Sequence, residues 1–183
     1  MTYLLIGIVI IGVGFVVYYN RLVKLRQTVR NAWADIDVQL KRRHDLIPNL
    51  VETVKGYASH EQDTLEAVIQ ARNQAIGASG PAATAAAENQ LTGALRQLFA
   101  LSESYPQLRA VEGFTELQGS LKEIEEAVQS SRRYYNAVVR DYNTTIEQVP
   151  SNIVANAFRF QQEEFFELED EVERAVPEVD FGG

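Results

Sequence analysis

The sequence predicts an all-α protein. An N-terminal transmembrane helix continues into a long helix of an antiparallel helical bundle of the four-helix type. Three observations carry this expectation. A charge-free apolar run stands at the N-terminus, apolar residues downstream recur at three- and four-residue steps, and no stretch alternates as a strand does. The chain has 183 residues, 46% hydrophobic and 23% charged, which suits one folded domain plus an anchor. It has no cysteine, which excludes a disulfide scaffold, a thiol nucleophile and a cysteine-held metal cluster. The formal net charge is −8, a poor match to the phosphates of nucleic acid, so no nucleic-acid partner is expected. That charge is unevenly placed. Residues 1–43 carry seven basic and two acidic side chains, and the acids dominate the rest. The expected organisation is an anchor over 1–20, a cytosolic bundle over 21–168 and an acidic, disordered tail over 169–183.

The anchor comprises Tyr3, Leu4, Leu5, Ile6, Gly7, Ile8, Val9, Ile10, Ile11, Gly12, Val13, Gly14, Phe15, Val16, Val17, Tyr18 and Tyr19. As a helix the run covers about 25 Å, at the short end for a hydrocarbon core roughly 30 Å thick. Tyr3, Tyr18 and Tyr19 stand at its ends, where amphipathic rings favour the headgroup level. A cleaved signal peptide needs a basic residue before the apolar run and a small-residue cleavage site after it; this sequence has neither. Nearby basic residues all follow the run, so the positive-inside rule places the N-terminus outside and residues 21–183 in the cytoplasm. Arg21, Lys24 and Arg26 are close enough to meet lipid headgroups. Gly7 and Gly14 share a helix face that permits close approach of a second span, although glycine is common in membrane helices and no strict G-x-x-x-G occurs.

The body follows in order. Leu22, Leu25, Val29, Ala32, Ile36 and Leu40 keep helical spacing, continued by His44, Ile47, Val51 and Val54, with a kink expected at Pro48. Ser59 to Gln62 resembles a capping box opening a second helix over about 60–77. Gly77 to Pro81 reads as a turn, and a third helix spans about 82–102. The fourth helix shows the cleanest seam: Phe114, Leu117, Leu121, Ile124, Val128, Ser131, Tyr135, Val138, Tyr142, Thr145 and Val149. Pro150 ends it, and a short helix is expected over about 152–168. The first and fourth helices outrun the second and third, so apolar seams exposed at their projecting ends would seek partners.

A search for chemistry returns no catalytic and no metal-binding residue. The two histidines, His44 and His60, form no i,i+4 pair, and there is no nucleophile elbow or phosphate loop. No cofactor and no enzymatic activity are expected. Three clusters remain as candidate protein–protein contacts. Lys41, Arg42 and Arg43 stand too far from the bilayer for headgroups and would pair with acids of the bundle or of a neighbouring chain. Arg133, Tyr134, Tyr135 and Tyr142 form either a wet edge of the core or a partner surface. Phe158, Phe160, Phe165 and Phe166 fit one amphipathic face docking on the bundle, or a linear motif for another protein.

Several ungapped segments are familiar as a set. They are Ala32–Ile36, Val38–Glu52 continuing to Glu61, Glu103–Leu108, Arg132–Asn136 with Asp141–Asn143, and Pro150–Ile153. Together they resemble the LemA family over nearly the whole chain, the acidic tail excepted. The resemblance implies a single-pass bacterial membrane protein with a cytosolic antiparallel helical bundle and no agreed catalytic residue. It also implies a link to membrane biogenesis, through a magnetosome relative, and to membrane zinc metallopeptidases of the HtpX type, beside which members are often encoded. The functional expectation is a self-associating membrane scaffold, a homo-oligomer on the lipid bilayer. The alternative is an adaptor for such a metallopeptidase.

Overall fold

A computed structural model describes residues 1–168. The expected tail, 169–183, lies outside the described residues. Among the described residues there are six helices: α1 (Thr2–Lys55), α2 (Gln62–Gly77), α3 (Pro81–Ser102), α4 (Pro106–Arg109), α5 (Glu112–Glu147) and α6 (Ser151–Ala157). The described residues contain no strand, and the fold is all-α.

α1 is a single helix of 54 residues, about 80 Å long. Its N-terminal third is long and apolar enough to cross a membrane and packs against almost nothing. The helix continues through Pro48 as one element. Proline lacks the N–H that would bond the carbonyl four residues back, so it orphans the His44 carbonyl. Arg72 on α2 supplies the missing donor: its Nε bonds the His44 oxygen at 2.7 Å. Arg72→Met should therefore lower stability by about 1–3 kcal/mol, the scale of an unpaired buried carbonyl. Combined with Pro48→Ala, which restores the helix's own donor, the same change should cost much less. Thermal melts of the four proteins check this, and equal costs in both backgrounds would refute the account.

The remaining elements follow from local signals, with corrections. α2 starts at Gln62 without the expected capping box: Glu61 occupies the cap and makes no side-chain cap bond. Its carboxylate instead accepts the Tyr105 hydroxyl at 3.1 Å, and this bond pushes the Tyr105 phenol up. Gly80 turns the chain at φ +84°, a left-handed conformation suited to glycine, and Pro81 opens α3. α5 returns antiparallel to α1, with Glu125 against Arg43 and Tyr135 against Trp33.

The four-helix arrangement holds for half of the body. The distal core joins Ile47–Val54 of α1 to α2, α3, Leu108 of α4, and Phe114 and Leu121 at the start of α5. The core nearer the apolar end of α1 is different. It contains Leu22–Leu40 of α1, Ile124–Ile146 of α5, Val154 and Ala155 of α6, and Phe160 and Phe166. There α1 and α5 do outrun α2 and α3, and the chain covers their seam with its own C-terminal segment.

That segment corrects the helix expected over 152–168. α6 stops at Ala157, and residues 160–168 form an extended strap. The stop is a Schellman motif. The Phe160 N–H bonds the Ala155 carbonyl at 2.9 Å, the Arg159 N–H bonds the Asn156 carbonyl at 3.3 Å, and Arg159 takes φ +56°. The α5 seam is corrected too. Beyond Val128 its buried residues are Arg132, Tyr135, Val139, Tyr142, Thr145 and Ile146, while Ser131 and Val138 are half-buried and Val149 is exposed. An α-helix has 3.6 residues per turn, so a strict 3.5-residue seam drifts unless the helices supercoil. Here one extra four-residue step, Val128 to Arg132, follows the drift and turns α5 toward the strap.

Candidate functional site

The strap lies in a groove between α1 and α5. An extended segment with no partner strand needs other donors and acceptors for its backbone. Side chains of α5 supply them. Asn143 bonds Glu163 twice, its Nδ2 donating to the carbonyl and its Oδ1 accepting the N–H, both at 2.9 Å. Asn136 does the same to Phe166, at 3.0 and 2.9 Å. The Tyr135 hydroxyl donates to the Glu164 carbonyl at 2.8 Å, and Arg132 Nη1 to the Leu168 carbonyl at 2.9 Å. The spacing explains the fit. Two turns of helix separate the asparagines by about 10.5 Å, and three extended residues cover about 10 Å.

Two aromatic anchors complete the grip. Phe166 is wholly buried, its ring edge-on to Trp33 with centroids 5.5 Å apart. Trp33 also packs on Tyr135 at 5.3 Å. The Arg26 guanidinium sits over the Phe160 ring, 4.8 Å from its centroid. Burial, helped by Glu163 and Glu164 nearby, pushes the Tyr135 phenol up to about 12. Burial and Glu163 raise Tyr142 as well, against the opposing pull of Arg26 and Arg30.

A second cluster lies where the two cores meet. Arg43 is buried and bonds Glu88 Oε2 at 2.9 Å, Thr92 Oγ1 at 2.9 Å and Glu125 Oε2 at 3.0 Å. His44 Nε2 lies 2.6 Å from the other Glu88 oxygen. Glu88 is wholly buried, and both of its oxygens are partnered. Each contact crosses between helices, so the cluster lashes α1 to α3 and α5. Its groups are saturated by one another, which suits a registering device better than a reactive one. Among the described residues, no group of three or more His, Cys, Asp or Glu side chains is placed to hold a metal ion.

The residues singled out from the sequence separate into two sets. Arg43 pairs with acids of the bundle, Glu88 and Glu125, so its guanidinium is spent inside the chain. Tyr135, Tyr142 and Phe166 are likewise internal, where they build the strap groove. Lys41 pairs with Asp45 at 2.7 Å on the surface and holds that carboxyl below the usual carboxylate range, and Arg42 bonds Gln39. Arg42, Arg133 and Tyr134 remain exposed, with Phe165 about a third exposed. Arg21 and Lys24 are exposed beside the apolar third of α1, and Arg26 is half-buried against Phe160.

A LemA family model matches residues 32–181, most of the chain. The chain belongs to the LemA family. Among curated proteins it resembles Protein LemA of Metamycoplasma hominis, at 25% identity over 94% of this chain and 80% of that protein. It also resembles Magnetosome protein MamQ 2 of Paramagnetospirillum magneticum, at 25% identity over 81% of this chain and 64% of the relative. Magnetosome protein MamQ of Magnetospirillum gryphiswaldense matches at 23% identity over the same shares. The chain thus spans a little under two thirds of the length of these magnetosome relatives.

Two asparagines and a glutamate carry roles that local sequence pattern does not single out. Asn136 and Asn143 stand in the quoted motifs, seven residues apart on one face of α5, and that spacing was the available signal. Glu88 is a single acid after Ala85-Ala86-Ala87 on the packed side of α3, an environment where an acid needs a partner.

Proposed function

We propose that this LemA-family chain is a non-enzymatic scaffold, anchored by α1 in the bacterial inner membrane, that self-associates and takes part in membrane organisation. The observation that supports it is the continuity of α1. One helix carries the apolar third and both cores, so the body has a fixed stance relative to the anchor. The N-terminus lies outside and the body in the cytoplasm, in keeping with Arg21 and Lys24. The exposed side chains Arg42, Arg133 and Tyr134 serve as contacts between copies, together with the apolar third of α1.

Light scattering of the full chain in mild detergent, with the detergent mass subtracted, tests this. The expected result is a discrete assembly that Arg42→Glu combined with Arg133→Glu weakens. A monomer at all concentrations would overturn self-association. A monomer that retains a membrane zinc metallopeptidase through purification would replace the scaffold by the adaptor.

A further inference from the structure

We infer that the α5–α6 turn is a second membrane contact, seated in the lipid headgroup layer beside the anchor. The inference rests on the reading of α1 as a membrane span. Its geometric basis is Phe158, whose ring packs on Tyr19 with centroids 4.6 Å apart and on Phe15 at 5.8 Å. Tyr19 ends the apolar run, and Phe15 lies one helical turn, about 6 Å, further in. A ring that touches both is held at the boundary between headgroups and acyl chains. This is the depth, about 5–10 Å, at which interfacial helices bury their apolar faces.

The surface around Phe158 has the matching character. Val149 is 78% exposed, Ile153 61% and Phe158 51%, an unusual concentration of bare apolar side chains at one end of a packed body. The register of α5 against α1 sets Val149 level with Tyr19, so the patch adjoins the apolar third of α1 rather than standing apart from it. Arg159, exposed, follows Phe158 directly, and Arg21, exposed on another side of α1 two residues past Tyr19, adds positive charge at the same level, as anionic headgroups require. Arg159 holds φ +56°, the position of a Schellman turn where glycine is unstrained. An arginine kept there against backbone preference is explained by a ligand for its guanidinium, and a lipid phosphate at this level supplies one.

The chain has no cysteine, so single-cysteine variants of the full protein give clean labelling sites. Val9→Cys, Ile153→Cys and Ile76→Cys would each carry an NBD fluorophore in vesicles of phosphatidylcholine with phosphatidylglycerol. Nitroxide lipids then quench at a shallow or a deep position. Ile76 is an exposed control that lines one cleft with Val38, about 28 Å beyond Tyr19 along α1. The expected result is that the shallow nitroxide quenches the Ile153→Cys label, the deep one quenches the Val9→Cys label, and neither quenches the Ile76→Cys label. Quenching of the Val9→Cys label, with the Ile153→Cys label as silent as the control, would overturn the second contact and leave the span intact. Silence of the Val9→Cys label as well would overturn both. A blue-shifted but unquenched label in the Ile153→Cys variant would mean that a second copy of the chain covers the patch, and would also overturn the lipid contact.

Discussion

Phe166→Ala is expected to free the strap while leaving the two cores folded. The substitution removes a wholly buried aromatic side chain, a change that costs about 3–5 kcal/mol in protein cores. The strap is the chain's last described element and leans on one face of the α1–α5 pair. The loss therefore falls on local opening of the strap rather than on global unfolding. Amide hydrogen exchange reads this directly. The N–H groups of Glu163 and Phe166 bond to the side-chain oxygens of Asn143 and Asn136, so their exchange reports strap opening. It should accelerate about 100-fold or more, the factor that corresponds to roughly 3 kcal/mol. Amides of Leu50 and Leu91 in the distal core should not change. Trp33, the only tryptophan, lies against Phe166, and its emission should move to the red. Unaltered exchange at Glu163 and Phe166 would show that the clamp does not hold the strap.

The same clamp should respond to alkaline pH. The Tyr135 phenol titrates at about 12 in the folded chain and near 10 once the strap is released. The folded value is the higher one, so the hold on the strap is complete below pH 10. It weakens as pH rises through 10 and is lost by about 12. Trp33 emission should follow that window, and Tyr135→Phe should shrink the step, leaving the part that belongs to Tyr142, whose phenol is raised too.

Glu88→Ala is expected to produce the largest loss of global stability. Removing one partner of a buried charge pair leaves the other uncompensated, a defect of about 3–5 kcal/mol. Arg43 would keep Glu125, which is partly exposed, but lose its buried partner, and His44 would lose the interhelical bond at its Nε2. For a domain of this size the melting temperature should fall by roughly 10 °C in mild detergent, followed by circular dichroism at 222 nm. Glu88→Gln keeps the shape and one acceptor and should melt between Glu88→Ala and the unaltered chain. Arg43→Met with Glu88→Leu should cost far less than Glu88→Ala, because apolar side chains of similar volume replace an ion pair with little loss. A double variant that melts as low as the alanine variant would show that the cluster contributes more than charge balance.

The two effects differ because the cluster and the strap have different places in the fold. Arg43, His44, Glu88 and Glu125 form the polar layer where the distal and anchor-side cores meet, so disturbing it unsettles three helices at once. The strap covers a seam that already exists between α1 and α5.

How much of this was legible in the sequence follows from which interactions are local. The apolar run of α1, the steps of three and four, the Gly80–Pro81 turn and the helix break at Pro150 are local, and they set the all-α class and the four longer helices to within a few residues, though not the end of α6. The chain's membership in the LemA family was legible too, in ungapped motifs whose residues lie side by side. Other features depended on groups distant in sequence. Pro48 signals a freed carbonyl at His44, but not that Arg72, twenty-four residues on from Pro48, supplies the missing donor. Ser59–Gln62 reads as a capping box until Tyr105 takes the Glu61 carboxylate. Phe160 and Phe166 promise a helix face, yet Asn136 and Asn143 offer the backbone of residues 163–166 its partners in the extended form. Arg43 promises an acid of the bundle or of a neighbouring chain, and only the packing of α3 and α5 names Glu88 and Glu125. Helical periodicity is set by neighbours one turn apart, and so the helices, their apolar faces and the apolar third of α1 could be read from the residues alone. Which buried polar groups meet, and whether a segment stays helical or lies extended, depended on the packed fold, because an unpaired buried donor or acceptor costs more than helical propensity returns.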